Sequence, residues 1–349
     1  MRNHFLILLA TIHFAAASSG MLPAAPRTPD QIAGQILSTY EKRWNELSPR
    51  NRGHFALRIY RVSGNRRYLP QIRSYYEGVR GRLLHAAANL GNPEFIKTEA
   101  TKRLAAIGSG DAKHELRAKT LEPHLEYLFH TKFLFWAYLA RSWNMHQHPD
   151  LAADWAAIEK YLKSVPFETY LMDENIIRYN TPQAVNYVFF LKFLELRDLE
   201  TAFTEKFRTV LMNAEDSRLS DVEFENKIYG LTHFIIAASD YYQRPADPEK
   251  YGWVLNYFSE HFDEIVRRTK IDVIAEVGLC FKLAGLEHHP AVWKSISRIV
   301  RAYDTGKGFI DSAQYPGDLN RAEHRNIVAY MLLKDYKTLH PGPDLATNR

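Results

Sequence analysis

Hydrophobic residues recur at helical spacing along almost the whole chain from Thr28 onward. Stretches of strict two-residue alternation bounded by turn residues, which would indicate β-strands, are missing from the sequence. The pattern therefore predicts an all-α protein. After a short proline-rich lead at 24–29, no linker or run of like charges divides the chain, so we expect a single domain.

Two kinds of predicted helix alternate from about residue 124. Helices of the first kind are apolar on every side, and they cover 127–143, 183–196, 228–242 and 271–284. Helices of the second kind carry one apolar stripe, and they cover 151–162, 203–211, 251–265 and 292–303. A helix that is apolar all round must be covered all round, whereas a striped helix lies between the core and water. The sequence therefore predicts inner and outer helices that pair into hairpins.

About six such hairpins can be counted, if one at 67–107 and one closed by the first two helices and 320–336 are included. Their starts recur at roughly 43 to 58 residues, which is typical of a helical-hairpin repeat. Stacked hairpins form either an open solenoid or a closed ring. We expect the ring, an α/α toroid, because an open solenoid should show one wettable concave face. An open α-solenoid is the alternative.

The alternation resembles the double α/α toroid of many polysaccharide-active hydrolases and lyases, and of terpene cyclases and prenyltransferases. The sequence contains no aspartate-rich cyclase motif, no repeated Gln-Trp signature and no Cys, Cys, His zinc set. The segments YGLTH at 229–233, DYYQRP at 240–245 and EVGLCFKLAG at 276–285 resemble secreted bacterial domains of unassigned function. The first resemblance implies a toroid fold with a central cavity, and the second implies export.

The N-terminus has the pattern of a signal peptide at 1–17, with one charge at Arg2, an apolar run and then small residues. The apolar run is shorter than the roughly 20 residues that a spanning helix needs. We therefore expect a secreted or periplasmic protein without a membrane anchor. The remaining predicted boundaries are a flexible lead at 18–29, the toroid domain at 30–338 and a C-terminal tail at 339–349.

Charge and cysteine content exclude some classes of function. The chain has 45 Lys and Arg against 40 Asp and Glu. Because the basic residues do not cluster in the sequence, this excess does not favour a nucleic acid as partner. Cys280 is the only cysteine, so no intrachain disulfide can form, and its apolar neighbours predict a buried, inert thiol.

Capping signals place polar residues of the inner helices near helix starts. The predicted starts are at Asn180-Thr181-Pro182, at Ser220 with Glu223, at Thr269 with Asp272 and at Asn320 with Glu323. In a toroid the inner helices run parallel, so polar residues in their first turns should meet at one mouth. His233 joins that group only if the helix that contains it restarts near Glu225.

Glu276 is the candidate general acid, because its apolar neighbours would favour the protonated carboxyl group. A structural carboxylate is the alternative. His233 and His324 are candidate bases, with a core histidine and a solvated first turn as their respective alternatives. Candidate substrate ligands are polar or aromatic residues of the inner helices, namely Asn186, Tyr229, Asn326, His130 and Tyr179. No metal and no cofactor are expected.

We therefore expect an exported carbohydrate-active enzyme, which would be a hydrolase, a lyase or an epimerase. It would use a carboxylic acid and a histidine on a glycan or another small-molecule substrate in a central cavity. The alternative is a non-catalytic helical repeat protein that binds a protein or peptide. The lack of a clear pair of carboxylates, which glycoside hydrolysis needs, favours that alternative.

Overall fold

The computed structural model describes residues 27–109 and 112–346. Within these ranges the regular structure is helical, apart from an isolated bridge between Asp304 and Phe309, and the all-α prediction is confirmed. The predicted signal peptide and most of the predicted lead lie outside the described residues. The helices are α1 (Pro29–Lys42), α2 (Pro49–Ser63), α3 (Leu69–Ala87), α4 (Pro93–Gly108), α5 (Ala112–Leu121), α6 (Leu125–Ser142), α7 (Pro149–Ser164), α8 (Phe167–Leu171), α9 (Glu174–Phe193), α10 (Glu200–Phe207), α11 (Asp221–Ala238), α12 (Gly252–Glu260), α13 (Phe262–Arg268), α14 (Ile271–Leu283), α15 (Pro290–Ala302) and α16 (Glu323–Leu333).

One predicted helix start is confirmed and two are wrong. Ser220 and Glu223 form a capping box at the start of α11. The side chains of Thr269 and Asn320 do not cap, because α14 begins after Lys270 and α16 begins after Ala322. Asn320 instead accepts a hydrogen bond from the backbone N–H of Ser48 at 2.8 Å, which links the end of the chain to α2.

The predicted start at Asn180 is a kink inside α9. The helix begins earlier, after Asp173, and Asn180 has non-helical angles of φ −140° and ψ 21°. Pro182 has no N–H group, so the carbonyl of Arg178, four residues before it, loses its helical partner. The side-chain amide of Asn226 on α11 donates to that carbonyl instead. The kink is therefore stabilised by the neighbouring inner helix.

The helices around the centre pack on one another in a closed circuit. α2 packs on α3, α3 on α6, α6 on α9, α9 on α11, α11 on α14, α14 on α16, and α16 packs back on α2. Outer helices lie against this circuit, with α7 on α3, α10 on α9, and α15 on α14. The circuit favours a ring over an open solenoid, and that choice stays a prediction.

The four helices predicted to be inner, α6, α9, α11 and α14, are buried on most sides, as their composition predicts. In α14 the buried residues run without a break from Val273 to Phe281. Gly278 allows α15 to approach, since a Cβ atom at this position would lie 2.6 Å from Cβ of Ser295. Although these helices are apolar, none within the described ranges is both long and apolar enough to cross a membrane.

The described part of the predicted C-terminal tail, 339–346, packs on the protein. The backbone N–H of His340 donates to the carbonyl of Arg61 at 2.8 Å, and the N–H of Leu345 donates to Trp143 at 3.0 Å. Leu345 is also buried. These residues belong to the domain rather than to a tail, because burial of an apolar side chain and backbone hydrogen bonds fix them.

Candidate active site

A cavity of about 510 Å³ lies between the inner helices. We call it the inner cavity, and its walls come from α2, α3, α4, α5, α6, α9, α11, α14 and α16. A second, more open space of about 590 Å³, the outer hollow, shares Arg50, His54 and His324 with it. A ligand in the inner cavity would thus contact residues that are distant in sequence.

The inner cavity brings together most of the residues nominated from the sequence. Those that line it are Glu276, His233, His324, Asn186, Tyr229 and Tyr179. His130 and Asn326 do not line it, and we withdraw both as substrate ligands. His130 contacts the hydroxyl of Tyr161 at 3.2 Å. Asn326 is fully buried and bonds to both backbone groups of Ile310, so it fixes the loop before α16.

Glu276 and His324 are in contact at the wall of the inner cavity and form an ion pair when His324 is protonated. Glu276 is 1% exposed, its Oε1 lies 3.2 Å from Nε2 of His324, and its Oε2 accepts a hydrogen bond from Thr232 at 2.7 Å. Burial alone lowers the pKa of His324, but the hydrogen bond and charge of Glu276 outweigh it and raise the pKa above its ordinary value. Glu276 is thus paired with His324 and Thr232 rather than surrounded by apolar residues alone, and its role as a general acid stays a prediction.

Asn186, His233 and Tyr241 form a second cluster in the inner cavity. Oδ1 of Asn186 lies 2.9 Å from Nδ1 of His233 and accepts a hydrogen bond from the hydroxyl of Tyr241 at 2.7 Å. In this amide orientation Oδ1 can only accept, so Nδ1 of His233 carries the hydrogen and Nε2 has a free lone pair. Burial lowers the pKa of His233 and raises the pKa of Tyr241 well above its ordinary value. A neutral imidazole and a protonated phenol therefore share one acceptor, Oδ1 of Asn186.

The backbone that places Tyr241 is unusual. α11 ends at Ala238, earlier than the predicted 228–242 segment, and Asp240, Tyr241 and Tyr242 then have φ values of 51°, 55° and 73°. Non-glycine residues seldom adopt this left-handed region, and such strain tends to occur at functional sites. This turn brings Tyr241 back to Asn186 and His233. Sequence periodicity does not reveal such a turn, because tyrosine is an ordinary helix residue.

His233 reaches the inner cavity although α11 does not restart near Glu225. The helix is continuous from Asp221 to Ala238, so His233 lies in its later half, while His324 lies at the start of α16. The condition under which His233 would lie among the first turns is therefore not met, yet His233 lines the inner cavity. The two histidines line the same space because the inner cavity extends along the helices.

His54 is a site residue that the sequence analysis missed. Its Nδ1 lies 2.7 Å from Oε1 of Glu323, and its ring centre lies 6.1 Å from that of His324. Burial and the charge of Arg58 lower the pKa of His54 to about 4, so His54 is neutral at neutral pH. The pKa of His324 is raised instead, so His324 is protonated more readily than His54. The signal was weak, because His54 lies among polar residues of the striped helix α2.

The lining of the inner cavity is strongly cationic. It contains one carboxylate, that of Glu276, and seven lysine and arginine side chains: Arg50, Arg58, Arg61, Arg103, Lys113, Arg117 and Lys132. Among the described residues, Lys113 is the one of these seven with a carboxylate partner, Glu225. A narrow space lined by one sign of charge attracts ions of the opposite sign. The sequence alone does not reveal this cluster of positive charge, because the seven residues are spread over four helices.

A possible metal-ligand group within the described ranges lies away from both spaces. Donor atoms of Asp216, His261 and Glu264 lie within 4.8 Å of one another. Asp216 already accepts from Lys227 at 2.6 Å and from Tyr257 at 2.7 Å, so this group is an ion-pair network that joins α11, α12 and α13. We assign no metal to it.

Comparison with known proteins gives one match. A family model described as a domain of unknown function, DUF3541, matches residues 29–349. No curated protein and no solved structure matches the chain.

Proposed function

We propose a function from the cavity itself, because the chain belongs to the DUF3541 family, which is described as a domain of unknown function. The protein is an exported lyase that cleaves an acidic polysaccharide beside a uronate residue by β-elimination. Export rests on the signal-peptide pattern at 1–17. The closed circuit of inner helices belongs to the same proposal, since it would enclose the substrate in a toroid.

The observation that carries the proposal is the cluster of Asn186, His233 and Tyr241 in a cationic cavity. β-Elimination requires a base for the hydrogen at C5, an acid for the leaving oxygen at C4 and groups that stabilise negative charge on the carboxylate. Nε2 of His233 is the base, and the phenol of Tyr241 is the acid. Neither role requires a second carboxylate.

Charge stabilisation comes from the groups around the cluster. Nδ2 of Asn186 makes no hydrogen bond to the described residues and can donate to the substrate carboxylate. His324, whose pKa is raised by Glu276, adds positive charge when it is protonated. Stabilising the dianion that develops on the carboxylate makes the hydrogen at C5 more acidic.

The reaction balances within the protein and its substrate. His233 takes the proton from C5, the C4–C5 double bond forms, the C4–O bond breaks, and the leaving oxygen takes the proton of Tyr241. The proton on His233 then returns to Tyr241 through solvent. One product carries an unsaturated uronate at its end, and the other carries a free hydroxyl group.

Hydrolysis is less well supported by this geometry. Hydrolases generally use two carboxyl groups across the scissile bond. Among the described lining residues, Glu276 provides the one carboxylate, and its two oxygens already contact Thr232 and His324. The nearby Asp272 accepts a hydrogen bond from Tyr229 at 2.6 Å. An epimerase would share the first proton transfer but would leave the glycan chain intact.

The test is incubation of the protein with a panel of uronate-containing polysaccharides, followed by the ultraviolet absorbance of the conjugated double bond. We expect absorbance to rise, and His233→Ala or Tyr241→Phe to lower the rate by about 10² to 10⁴-fold. His130→Ala and Tyr161→Phe are matched controls, because they alter a histidine–tyrosine contact outside the cavity. New reducing ends without absorbance would instead indicate a hydrolase. Binding of a polysaccharide without cleavage would favour the alternative, a non-catalytic binding protein.

A further inference from the structure

The inner cavity has more positive charge than the proposed reaction uses. Six of its seven cationic side chains have no carboxylate within 4.0 Å among the described residues. One of the six, Arg103, has other partners, since it donates to the carbonyl of Leu128 and to the hydroxyl of Tyr187. Arg58 and Arg61 make no such hydrogen bond to the described residues, and both lie on α2.

Arg61 is the most deeply buried of these cations. It is 2% exposed, it lines the inner cavity, and neither Nε nor Nη1 has a hydrogen-bond partner. Burying a charged group without a partner is costly, and natural proteins usually pair such a group or bind an ion with it. Burial lowers the pKa of Arg61 to about 10, which still leaves the guanidinium charged at neutral pH.

Arg58 lies one helical turn before Arg61 on α2, so both side chains project from the same face of the helix. Its guanidinium lies 5.4 Å from the ring centre of Tyr242, and its Nε is buried without a hydrogen-bond partner. Two like charges at this spacing repel each other, and an anion between them would remove the repulsion. Tyr242 belongs to the strained turn that also places Tyr241.

We infer that Arg58 and Arg61 form an oxyanion subsite of the inner cavity, which binds a second acidic group of the substrate beside the uronate that reacts. The group is a sulfate ester or a carboxylate, since both present oxygens that match the guanidinium fork. The assignment of this group to a glycan rests on the proposed function. The ability to bind an oxyanion does not, because it requires only the two arginines and the cavity.

The first experiment titrates inorganic sulfate, and separately acetate, into the whole protein at constant ionic strength, with calorimetry as the readout. We expect saturable binding of sulfate or acetate that is about 10- to 100-fold weaker in Arg61→Gln. The matched control is Arg52→Gln, because Arg52 is also on α2 and has a buried Nε without a partner, but does not line the cavity. Without added oxyanion, Arg61→Gln should raise the melting temperature, since it removes an unpaired buried charge.

Absence of saturable binding to the wild-type protein would overturn the subsite, as would equal affinity in a folded Arg61→Gln protein. If Arg61→Gln does not fold, Arg61→Lys keeps the charge without the fork, and unchanged affinity in that variant and in Arg58→Gln would also overturn it. The second experiment compares a sulfated glycan with its desulfated form. If wild type and Arg61→Gln each cleave the sulfated and the desulfated glycan at the same rate, and acetate does not bind, the subsite is refuted but the lyase is not. Oxyanion binding that depends on Arg61, without turnover of any glycan, refutes the lyase alone.

Discussion

Replacing Glu276 by Gln should reveal the coupling between this carboxylate and His324. The substitution keeps the size of the side chain and an acceptor for Thr232, but it removes the charge that raises the pKa of His324. In the wild-type protein the stabilisation from protonated His324 is fully present below the unfolded-state pKa, near 6.5, and is lost as the pH rises through the raised pKa of the folded protein. The stability difference between wild type and Glu276→Gln should therefore be larger in mildly acidic buffer than in alkaline buffer.

The magnitude follows from the exposure of the two partners. Breaking a fully buried ion pair typically costs about 3 to 5 kcal/mol. Here Glu276 is 1% exposed, but the side chain of His324 is 42% exposed, so water in the cavity can solvate the histidine. A hydrogen bond to a charged group contributes about 1.5 to 3 kcal/mol, and solvent screening at the half-exposed histidine reduces this, so we expect a loss of about 1 to 2 kcal/mol near pH 6. The loss should be smaller near pH 9, where neutral His324 leaves only the pH-independent part.

The assay combines urea unfolding at both pH values with an NMR titration of His324. Asp272 and Glu323 also raise the pKa of His324 through their charges, so Glu276→Gln should lower this pKa without removing their contribution. His54 and His233 also line the cavity and can add positive charge when protonated. Asp272→Asn is the comparison variant: it removes a charge on the same helix that also raises the pKa of His324 but makes no hydrogen bond to it, so the pKa should fall less than in Glu276→Gln. An unchanged pKa of His324 in Glu276→Gln, or the same stability loss at both pH values, would refute the ion pair.

Two further predictions concern packing. Gly278→Ala should lower the free energy of unfolding by about 1 to 3 kcal/mol, because its Cβ would lie 2.6 Å from Ser295 and 2.9 Å from Leu332. Gly34→Ala, on the exposed face of α1, should raise the free energy of unfolding by about 0.5 to 1 kcal/mol. Denaturant unfolding of the two variants checks this, and equal effects would contradict the packing argument. Asn326→Ala should lower stability by about 2 to 4 kcal/mol, since it leaves both backbone groups of Ile310 unpaired, and should leave the KM for any glycan substrate unchanged. A raised KM at a temperature where the variant is fully folded would restore Asn326 as a ligand.

Much of the fold was predictable from the sequence, because burial on all sides requires apolar residues on all sides. This argument identifies α6, α9, α11 and α14 as inner helices from the sequence alone. Helix starts were less predictable. Asn180-Thr181-Pro182 has the composition of a cap, yet it kinks a longer helix, because Asn226 of a neighbouring helix satisfies the freed carbonyl. A single sequence does not show such a tertiary hydrogen bond.

The candidate site was predictable where a polar residue interrupts an apolar helix. Glu276 and His233 stand out for this reason, and both line the inner cavity. The same argument selected Asn326, whose partner is a loop backbone rather than a ligand. It could not select Arg61 or Tyr241, because arginine in a striped helix and tyrosine after an apolar helix are both ordinary. The role of Arg61 follows from its buried nitrogens without a hydrogen-bond partner, and that of Tyr241 from its position in a left-handed turn.

The contact between α2 and α16 has a consequence for the order of events during folding. His54 and Glu323 are separated by 269 positions, and they meet at 2.7 Å. Contacts over such a distance in sequence carry a loop-closure cost and slow the folding of a domain. A ribosome that makes the chain from its N-terminus has released nearly all of the inner helices before the one that supplies His324. The inner cavity should therefore be completed last in a nascent chain, and a chain that stops before α16 should expose apolar helices and lack the wall that His324 provides.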